Sequence, residues 1–117
     1  MHYPISFNYM VESIVIDNIF MALADSTRRN ILAQVSKAEL SISEIAASYS
    51  LTFAAVSKHI MVLQKAGLVT KRRRGKEQVV IVVPSTFELA CDQIENYASL
   101  WSDRFDRLDE LLNEMED

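Results

Sequence analysis

The chain has 117 residues, of which half are apolar and only two each are proline and glycine. This length and composition predict one compact, mostly helical domain and leave no room for a second. No stretch approaches the roughly 18 uncharged apolar residues of a membrane helix, and the N-terminus lacks the basic-then-apolar order of a secretion signal. We therefore expect a cytoplasmic protein without membrane insertion. A single cysteine, Cys91, excludes an internal disulfide.

The charge is distributed unevenly along the chain. Residues 1–84 contain ten Lys or Arg against six Asp or Glu, whereas residues 85–117 contain two against ten. The overall charge of −4 therefore arises from the C-terminal segment, and the first 84 residues carry a net +4. The basic part is compatible with a polyanionic partner despite the acidic total.

The N-terminal third predicts two helices. Residues 1–10 show no sustained period and contain a proline, so we interpret them as an irregular arm or a short extra turn. Apolar residues follow helical spacing from about Val11 to Leu23. Asp25 then offers an N-cap for a second helix that continues through Val35.

Residues 41–66 predict a helix-turn-helix. Ser41 is followed three positions later by Glu44, a capping-box pattern that begins a short helix. Thr52 is a candidate N-cap for the next helix, which Gly67 can end in the left-handed conformation. Two short helices joined by a tight turn are typical of the helix-turn-helix.

Residues 69–83 predict a β-hairpin, or wing. The segments Val69–Arg73 and Gln78–Val83 favour strands, and residues 74–77 form the connecting turn. Pro84 ends the hairpin, because proline cannot donate a hydrogen bond to a strand ladder.

The C-terminal segment, over 86–115, predicts one long helix with an apolar seam. Apolar residues recur at alternating steps of four and three for about four heptads. The seam either packs on the rest of the chain or pairs with a second copy, and its length favours a homodimer. Cys91 lies on this seam, where we interpret it as a small buried apolar residue instead of a redox sensor. The expected dimer contacts are Ile94, Ala98, Trp101, Phe105, Leu108 and Leu112.

The second helix of the motif predicts a surface for reading DNA. Val56, Ile60 and Leu63 share one face and can pack inward, which leaves a small, polar and cationic face outside. Such a face suits the major groove, although an ordinary solvated helix face is the alternative. His59 lies beside the apolar stripe and is equally compatible with helix packing and with DNA contact. The candidate contacts are Thr52, Phe53, Ser57, Lys58 and His59.

Five cations fall within residues 71–76, at the tip of the predicted hairpin. Cationic strand edges also protect proteins from aggregation, which is the alternative interpretation. The density of charge favours contact with phosphates or the minor groove. The candidate residues are Arg72, Arg73, Arg74 and Lys76.

Neither enzyme motifs nor a metal-binding cluster is present in the sequence. There is no G-x-S-x-G, HExxH, CxxC or glycine-rich phosphate loop. One cysteine and two separated histidines make no zinc-type set. We therefore predict neither catalysis nor a metal or other cofactor.

Three segments together resemble the ArsR family of bacterial winged helix-turn-helix repressors. They are IFMALADSTRRNIL, SISEIAASYSLTFAAVSKHIMVLQKAGLV with the basic hairpin that follows it, and ENYASLWSDRFDRLDELL. The last is similar to the tail of the metal-independent SdpR-like branch. The resemblance covers roughly residues 15–115.

The resemblance implies a homodimer joined through its first and last helices. It also implies that the two recognition helices of the dimer read an inverted repeat and that each wing reaches the flanking groove. It places the DNA-facing residues on the same five positions from Thr52 to His59, and on the wing from Arg72 to Lys76. The cysteine pair of metal-sensing members is absent at residues 43–47, and the tail lacks the histidine and carboxylate set of the other common metal site. Phe53 and Met61 stand where more polar residues are usual.

The sequence therefore predicts a single winged helix-turn-helix domain over 1–117, mainly α with a small β-hairpin and a long C-terminal dimerisation helix. The expected function is that of a transcriptional regulator, in particular a repressor, with double-stranded DNA and a second copy as partners. The alternative is a protein-interaction module that uses the winged helix and the acidic heptad tail. The sequence does not determine the operator, the effector, or whether the protein represses or activates transcription.

Overall fold

The computed structural model describes residues 7–116 and confirms the predicted class, with five helices and a small sheet over that range. The elements follow the order helix, helix, strand, helix, helix, hairpin and long helix, as expected for a winged helix-turn-helix. They are α1 (Phe7–Leu23), α2 (Ser26–Lys37), β1 (Leu40–Ser41), α3 (Ile42–Tyr49), α4 (Phe53–Lys65), β2 (Val69–Arg74), β3 (Glu77–Val82) and α5 (Pro84–Glu116).

The corner between α1 and α2 is fixed by hydrogen bonds from both sides. The Asp25 carboxylate accepts a hydrogen bond of 3.0 Å from the backbone N–H of Arg28, which confirms the predicted N-cap. The Arg28 guanidinium donates back to the carbonyl of Ala22 at 2.7 Å, and Arg29 donates to Leu23 at 2.7 Å. These bonds satisfy carbonyls that the last turn of α1 leaves without helical partners.

The predicted caps of the helix-turn-helix are also confirmed. The Ser41 hydroxyl accepts from the backbone N–H of Glu44, and the Glu44 carboxylate accepts from the backbone N–H of Ser41, both at 3.1 Å. Thr52 Oγ1 accepts from the backbone N–H of Ala55 at 3.1 Å. Gly67, with φ +78°, ends α4 in the left-handed conformation.

The sheet has three antiparallel strands in the order β1-β3-β2, instead of the simple hairpin expected from the sequence. The two-residue strand β1 pairs with β3 through Leu40 opposite Val80. The wing strands pair up to Arg74 opposite Glu77, so that the turn contains only Gly75 and Lys76. The predicted turn over 74–77 was therefore two residues too long. Gly75 has φ +64°, which a two-residue hairpin turn requires and glycine adopts without strain.

Every helix and strand of the described chain packs on one small core. The inward face predicted for the reading helix is confirmed, because Val56, Ile60 and Leu63 are completely buried. The other buried apolar residues come from α1, α2, α3, the connection between α4 and β2, the sheet and the first turns of α5. They include Ile19, Ala22, Ile31, Leu32, Val35, Ile42, Ile45, Leu68, Val69, Val80 and Ala90.

Two helix boundaries differ from the sequence-based expectation. Helix α1 begins at Phe7, four residues earlier than expected, so residues 7–10 are helical instead of part of an irregular arm; residues 1–6 lie outside the described chain. Helix α5 begins at Pro84 instead of residue 86. Proline suits a first helical turn because its missing N–H has no helical partner there. The Thr86 hydroxyl donates to the carbonyl of Gly67 at 2.6 Å and ties this end of α5 to the end of α4.

Helix α5 leaves the core after Ala90, its only buried residue. Cys91, the next residue, is exposed in the single chain. The prediction that it is buried was therefore wrong for one protomer. The reason is that no described part of the same protomer covers the distal part of the helix.

Among residues 7–116, no single helix is long and apolar enough to cross a membrane, although α3 and α4 together, bent by 117°, meet the length and composition criteria.

Candidate nucleic-acid interface

Helix α4 turns one side to the core and the other to solvent. The buried residues Val56, Ile60 and Leu63 hold it against the domain, and Lys58 lies on the opposite, exposed side. Phe53, in the first turn, is 56% exposed. The helix thus stands on a rigid base and presents its N-terminal half outward, as a helix that enters the major groove must.

An open cleft separates this half of α4 from the wing. Phe53 and Ser57 line it from the helix, and the wing lines it with Lys71, Lys76, Glu77 and Gln78. Residues 41–43, which are the cap and the first residues of α3, form the floor of the cleft. The cleft has a volume of about 370 Å³. Candidates that lie about twenty residues apart in the sequence are therefore brought together around one space.

The wing divides its cations between two faces. Successive residues of a strand point to opposite sides, so Lys71 and Arg73 share one face of β2, and Arg72 and Arg74 share the other. Lys71 is a lining residue of the cleft beside α4. Lys76 occupies the turn, at the end of the wing. The predicted cationic tip is therefore two surfaces with different surroundings.

Arg72 and Arg74 are paired with carboxylates of the same chain. Arg72 donates to Glu39 at 2.7 Å. Arg74 donates to Glu44 at 3.1 Å and also lies 3.7 Å from Glu77. All of these groups are about half exposed, so each pair adds little to stability, but each places a negative charge beside an arginine.

The remaining cations of the wing are the ones open to a phosphate. Within residues 7–116, Lys71, Arg73 and Lys76 form no ion pair, and Arg73 donates only to the carbonyl of Gly75, at 3.1 Å. The sequence predicts contacts at Arg72, Arg73, Arg74 and Lys76, and that prediction does not include Lys71. Strand alternation could have separated the two sets, but only the fold identifies the face that carries the acids.

Hydrogen bonds at the helix starts stabilise the ionised form of two carboxylates. The bond from the Ser41 backbone N–H, and further the charge of Arg74, hold the pKa of Glu44 below its ordinary value. In the same way the Arg28 backbone N–H lowers the pKa of Asp25. Both residues therefore keep their negative charge near neutral pH.

His59 lies on a different side of α4 from the cleft. It follows Ser57 by two residues, which turns its side chain about 200° around the helix axis. Its Nδ1 lies 3.9 Å from the Asp25 carboxylate, at the N-terminus of α2, and the side chain is 26% exposed. Of the five predicted contacts on this helix, Phe53 and Ser57 line the cleft, Lys58 points to solvent, Thr52 caps the helix and His59 faces α2.

The predicted dimer residues all lie on exposed parts of α5. Trp101 and Phe105 are 51% and 60% exposed, with ring centroids 6.2 Å apart. The Arg104 guanidinium lies 5.3 Å from the centroid of the Trp101 ring. Nearer the core, α1 and α5 leave a groove between them that is lined by Val11, Val15, Ile16, Leu89, Asp92 and Tyr97, among others.

Metal ligands do not come together in the described part of the protein. No group of three or more His, Cys, Asp or Glu side chains within residues 7–116 has the geometry to hold an ion.

Comparisons with known proteins agree with this architecture. Residues 25–71 match the family model described as bacterial regulatory protein, arsR family. The uncharacterized HTH-type transcriptional regulator YuzN of Bacillus subtilis is 46% identical over 72 residues, which cover 56% of this chain and 78% of that protein. The transcriptional repressor SdpR of the same bacterium is 28% identical over 60 residues, covering 51% of this chain and 67% of SdpR.

A solved structure extends the likeness to most of the fold. The homodimeric winged helix-turn-helix DNA-binding domain of Mb0332 from Mycobacterium bovis superposes with a TM-score of 0.67 at 22% identity, covering 85% of this chain and 91% of that one. The fold is therefore the winged helix-turn-helix. With its match to the family model and its identity to YuzN, the chain belongs to the arsR family of bacterial regulatory proteins.

Proposed function

We propose that this protein is a sequence-specific, double-stranded DNA-binding transcriptional regulator that acts as a homodimer on an inverted repeat. The observation that carries the proposal is the cleft between α4 and the wing, where Phe53 and Ser57 face Lys71 and Lys76. A helix beside a cationic hairpin offers base contacts and phosphate contacts in one surface.

In this arrangement α4 lies in the major groove. Ser57 donates to or accepts from base edges, and Lys58 neutralises backbone phosphates on the outer side. The hydroxyl of Thr52 accepts a hydrogen bond from the helix start, yet its own hydrogen can still donate to a phosphate. The wing adds Lys71, Arg73 and Lys76, which supply affinity without regard to sequence.

The second copy binds through α5 and α1. Residues 91–116 of the described chain contain no buried side chain, although they carry many apolar ones. Exposure of such an apolar surface to water is unfavourable. A symmetric dimer in which both copies use the same surface covers it on each copy. Mb0332, which shares the fold, is homodimeric. The residues that we assign to the contact are Ile94, Ala98, Trp101, Phe105, Leu108 and Leu112.

The dimer acts as a repressor by occupying promoter DNA. SdpR, a relative over half of this chain, is a transcriptional repressor. The protein needs no catalytic group for this role, and it works in the cytoplasm, where bacterial DNA is found.

A second candidate function is a protein-interaction module. The pairing of Arg72 and Arg74 with carboxylates favours it, because those ion pairs reduce the charge that the wing offers to DNA. Such a module uses the acidic apolar helix α5 to bind a different protein. It shows neither salt-dependent nor sequence-selective DNA binding.

Selection of bound genomic fragments tests the proposal. The wild type and a variant with Lys71, Arg73 and Lys76 changed to Ala are each incubated with fragments of the source genome, and the retained DNA is sequenced. The proposal predicts enrichment of an inverted repeat near a promoter, abolished or strongly reduced in the variant. Retention of no particular sequence by the wild type would favour the interaction module.

A further inference from the structure

Phe53 is more than half exposed at the start of the reading helix. It is the first residue of α4, directly after the Thr52 cap, and 56% of its surface is accessible. The residues that anchor the helix to the core are Val56, Ile60 and Leu63, so the ring of Phe53 is not needed for packing. The ring therefore offers apolar surface at the start of the reading helix, and a partner that covers this surface gains free energy of binding.

The surroundings of Phe53 combine a hydroxyl with charged groups of the wing. The same cleft contains Ser57 one turn further along α4, the cations Lys71 and Lys76, and Glu77, whose carboxylate lies 3.7 Å from the Arg74 guanidinium. Phosphates attracted by these cations bring base edges against the first turn of the helix. An apolar group on those base edges would then cover the ring.

Only one base presents such a group in the major groove. Thymine carries a C5-methyl there, whereas the other edges offer hydrogen-bond donors and acceptors. Phenylalanine is one of the side chains that contact this methyl group. Insertion of a ring between base steps is, by contrast, a device of proteins that bind the minor groove.

Resting on the proposed function, we propose that Phe53 is a specificity-determining residue that reads a thymine in each half-site by packing its ring on the C5-methyl. Ser57 lies beside it and bonds a neighbouring base edge. A methyl group that leaves water for an apolar environment changes affinity about fourfold, so two symmetric half-sites give about 15-fold.

Met61 is a matched control on the same helix. It is 50% exposed, comparable with Phe53, but lies eight residues further along, about 12 Å down the helix axis, and does not line the cleft. Replacing either side chain by Ala removes exposed apolar surface from α4. Only the change at Phe53 removes the proposed packing on the methyl group.

Selection from randomised duplexes tests the inference. The wild type, Phe53→Ala and Met61→Ala each select from two pools, one amplified with thymidine triphosphate and one with deoxyuridine triphosphate. Uracil pairs as thymine does and lacks only the methyl group. The affinities of the enriched duplexes are then compared as thymine and uracil forms.

The inference predicts that the wild type and Met61→Ala enrich a motif with a fixed A·T pair in each half-site, which binds about 15-fold more weakly as uracil DNA. Phe53→Ala binds both forms equally. A motif that is enriched alike from both pools and by all three proteins overturns the role of Phe53 while keeping the proposed function. The absence of any motif in either pool overturns both.

Discussion

Nη2 of Arg74 lies 3.1 Å from Oε1 of Glu44, the carboxylate oxygen that also accepts the hydrogen bond from the Ser41 backbone at the start of α3. One carboxylate therefore caps a helix of the reading motif and holds the wing against it. The pair joins residues that are thirty positions apart and links the end of β2 to the start of α3. It also keeps Arg74 from offering its full charge to DNA.

Glu44→Gln separates these two roles. Glutamine can still accept the hydrogen bond from Ser41 but lacks the charge that the folded chain stabilises, so the unfolding midpoint should fall less than in Glu44→Ala, and the negative charge beside Arg74 disappears. We expect tighter DNA binding and a salt dependence that steepens by up to about 0.9 per protomer as Arg74 binds a phosphate. Glu44→Ala is the control, because it also removes the cap and should lower the midpoint. Unchanged DNA binding by the glutamine variant would show that the pair does not restrain Arg74.

The two faces of the wing should respond differently to truncation. Changing Arg73 and Lys76 to Ala should flatten the dependence of log affinity on log salt by about 0.9 for each phosphate that is no longer neutralised, similarly on all DNA sequences. Changing Arg72 and Arg74 to Ala removes the same amount of positive charge. It should flatten the slope of log affinity against log salt less, because those arginines bind carboxylates. Fluorescence anisotropy titrations at several salt concentrations measure the slope for each variant. Equal slopes would contradict the difference between the paired and unpaired cations of the wing.

The buried side of α4 should control stability. Ile60 is completely buried beneath the reading helix, so Ile60→Ala should lower the free energy of unfolding by about 2–5 kcal/mol, because apolar burial is reduced and a cavity is left. Met61→Ala, at the exposed next position, should change it by less than about 0.5 kcal/mol. Urea denaturation followed by circular dichroism distinguishes them. Similar destabilisation by both would contradict the orientation of the helix.

The apolar seam of α5 should hold the dimer together. Trp101→Asp or Leu108→Asp introduces a charge where two apolar faces meet, so each variant should sediment as a monomer and lose DNA binding. Asp106→Ala, about 200° around the helix from Leu108, should remain a dimer. Sedimentation equilibrium gives the masses, and a dimer that persists with both Asp substitutions present would exclude this surface as the interface.

Acid should weaken the fold partly through Asp25. Its pKa is lowered in the folded chain because the Arg28 backbone N–H donates to its carboxylate, so its contribution is fully present above the ordinary pKa of about 4 and is lost as the pH falls through the folded value. Asp25→Asn keeps a capping side chain that does not titrate. Its urea midpoint should therefore fall less than that of the wild type between pH 5 and pH 2, as measured by circular dichroism. Parallel pH profiles for the two proteins would contradict this assignment.

Local signals in the sequence were sufficient for the helices of the reading motif. Asp25, Thr52 and the pair Ser41 and Glu44 each act within three residues of their partners, so their roles could be inferred from spacing alone. The burial of one face of α4 followed from helical periodicity in the same way.

Features that depend on distant residues could not be inferred. Strand β1 has two residues and exists only because β3, about forty positions later, pairs with it. The carboxylates that accept hydrogen bonds from Arg72 and Arg74 are thirty or more positions away, so the sequence showed a dense cationic tip where the fold contains two compensated arginines. Cys91 was expected to be buried because it lies on the seam, yet one chain alone leaves it exposed.

The most direct test of the central claim is a titration of the wild type on two duplexes of equal length and composition. One carries the inverted repeat obtained from the genomic selection, and the other carries the same bases in scrambled order, at several salt concentrations. We expect a preference of at least about 1,000-fold for the repeat near physiological salt, with the logarithm of the affinity for both duplexes falling linearly with log salt. Equal affinity for the two duplexes, or binding that does not depend on salt, would contradict it.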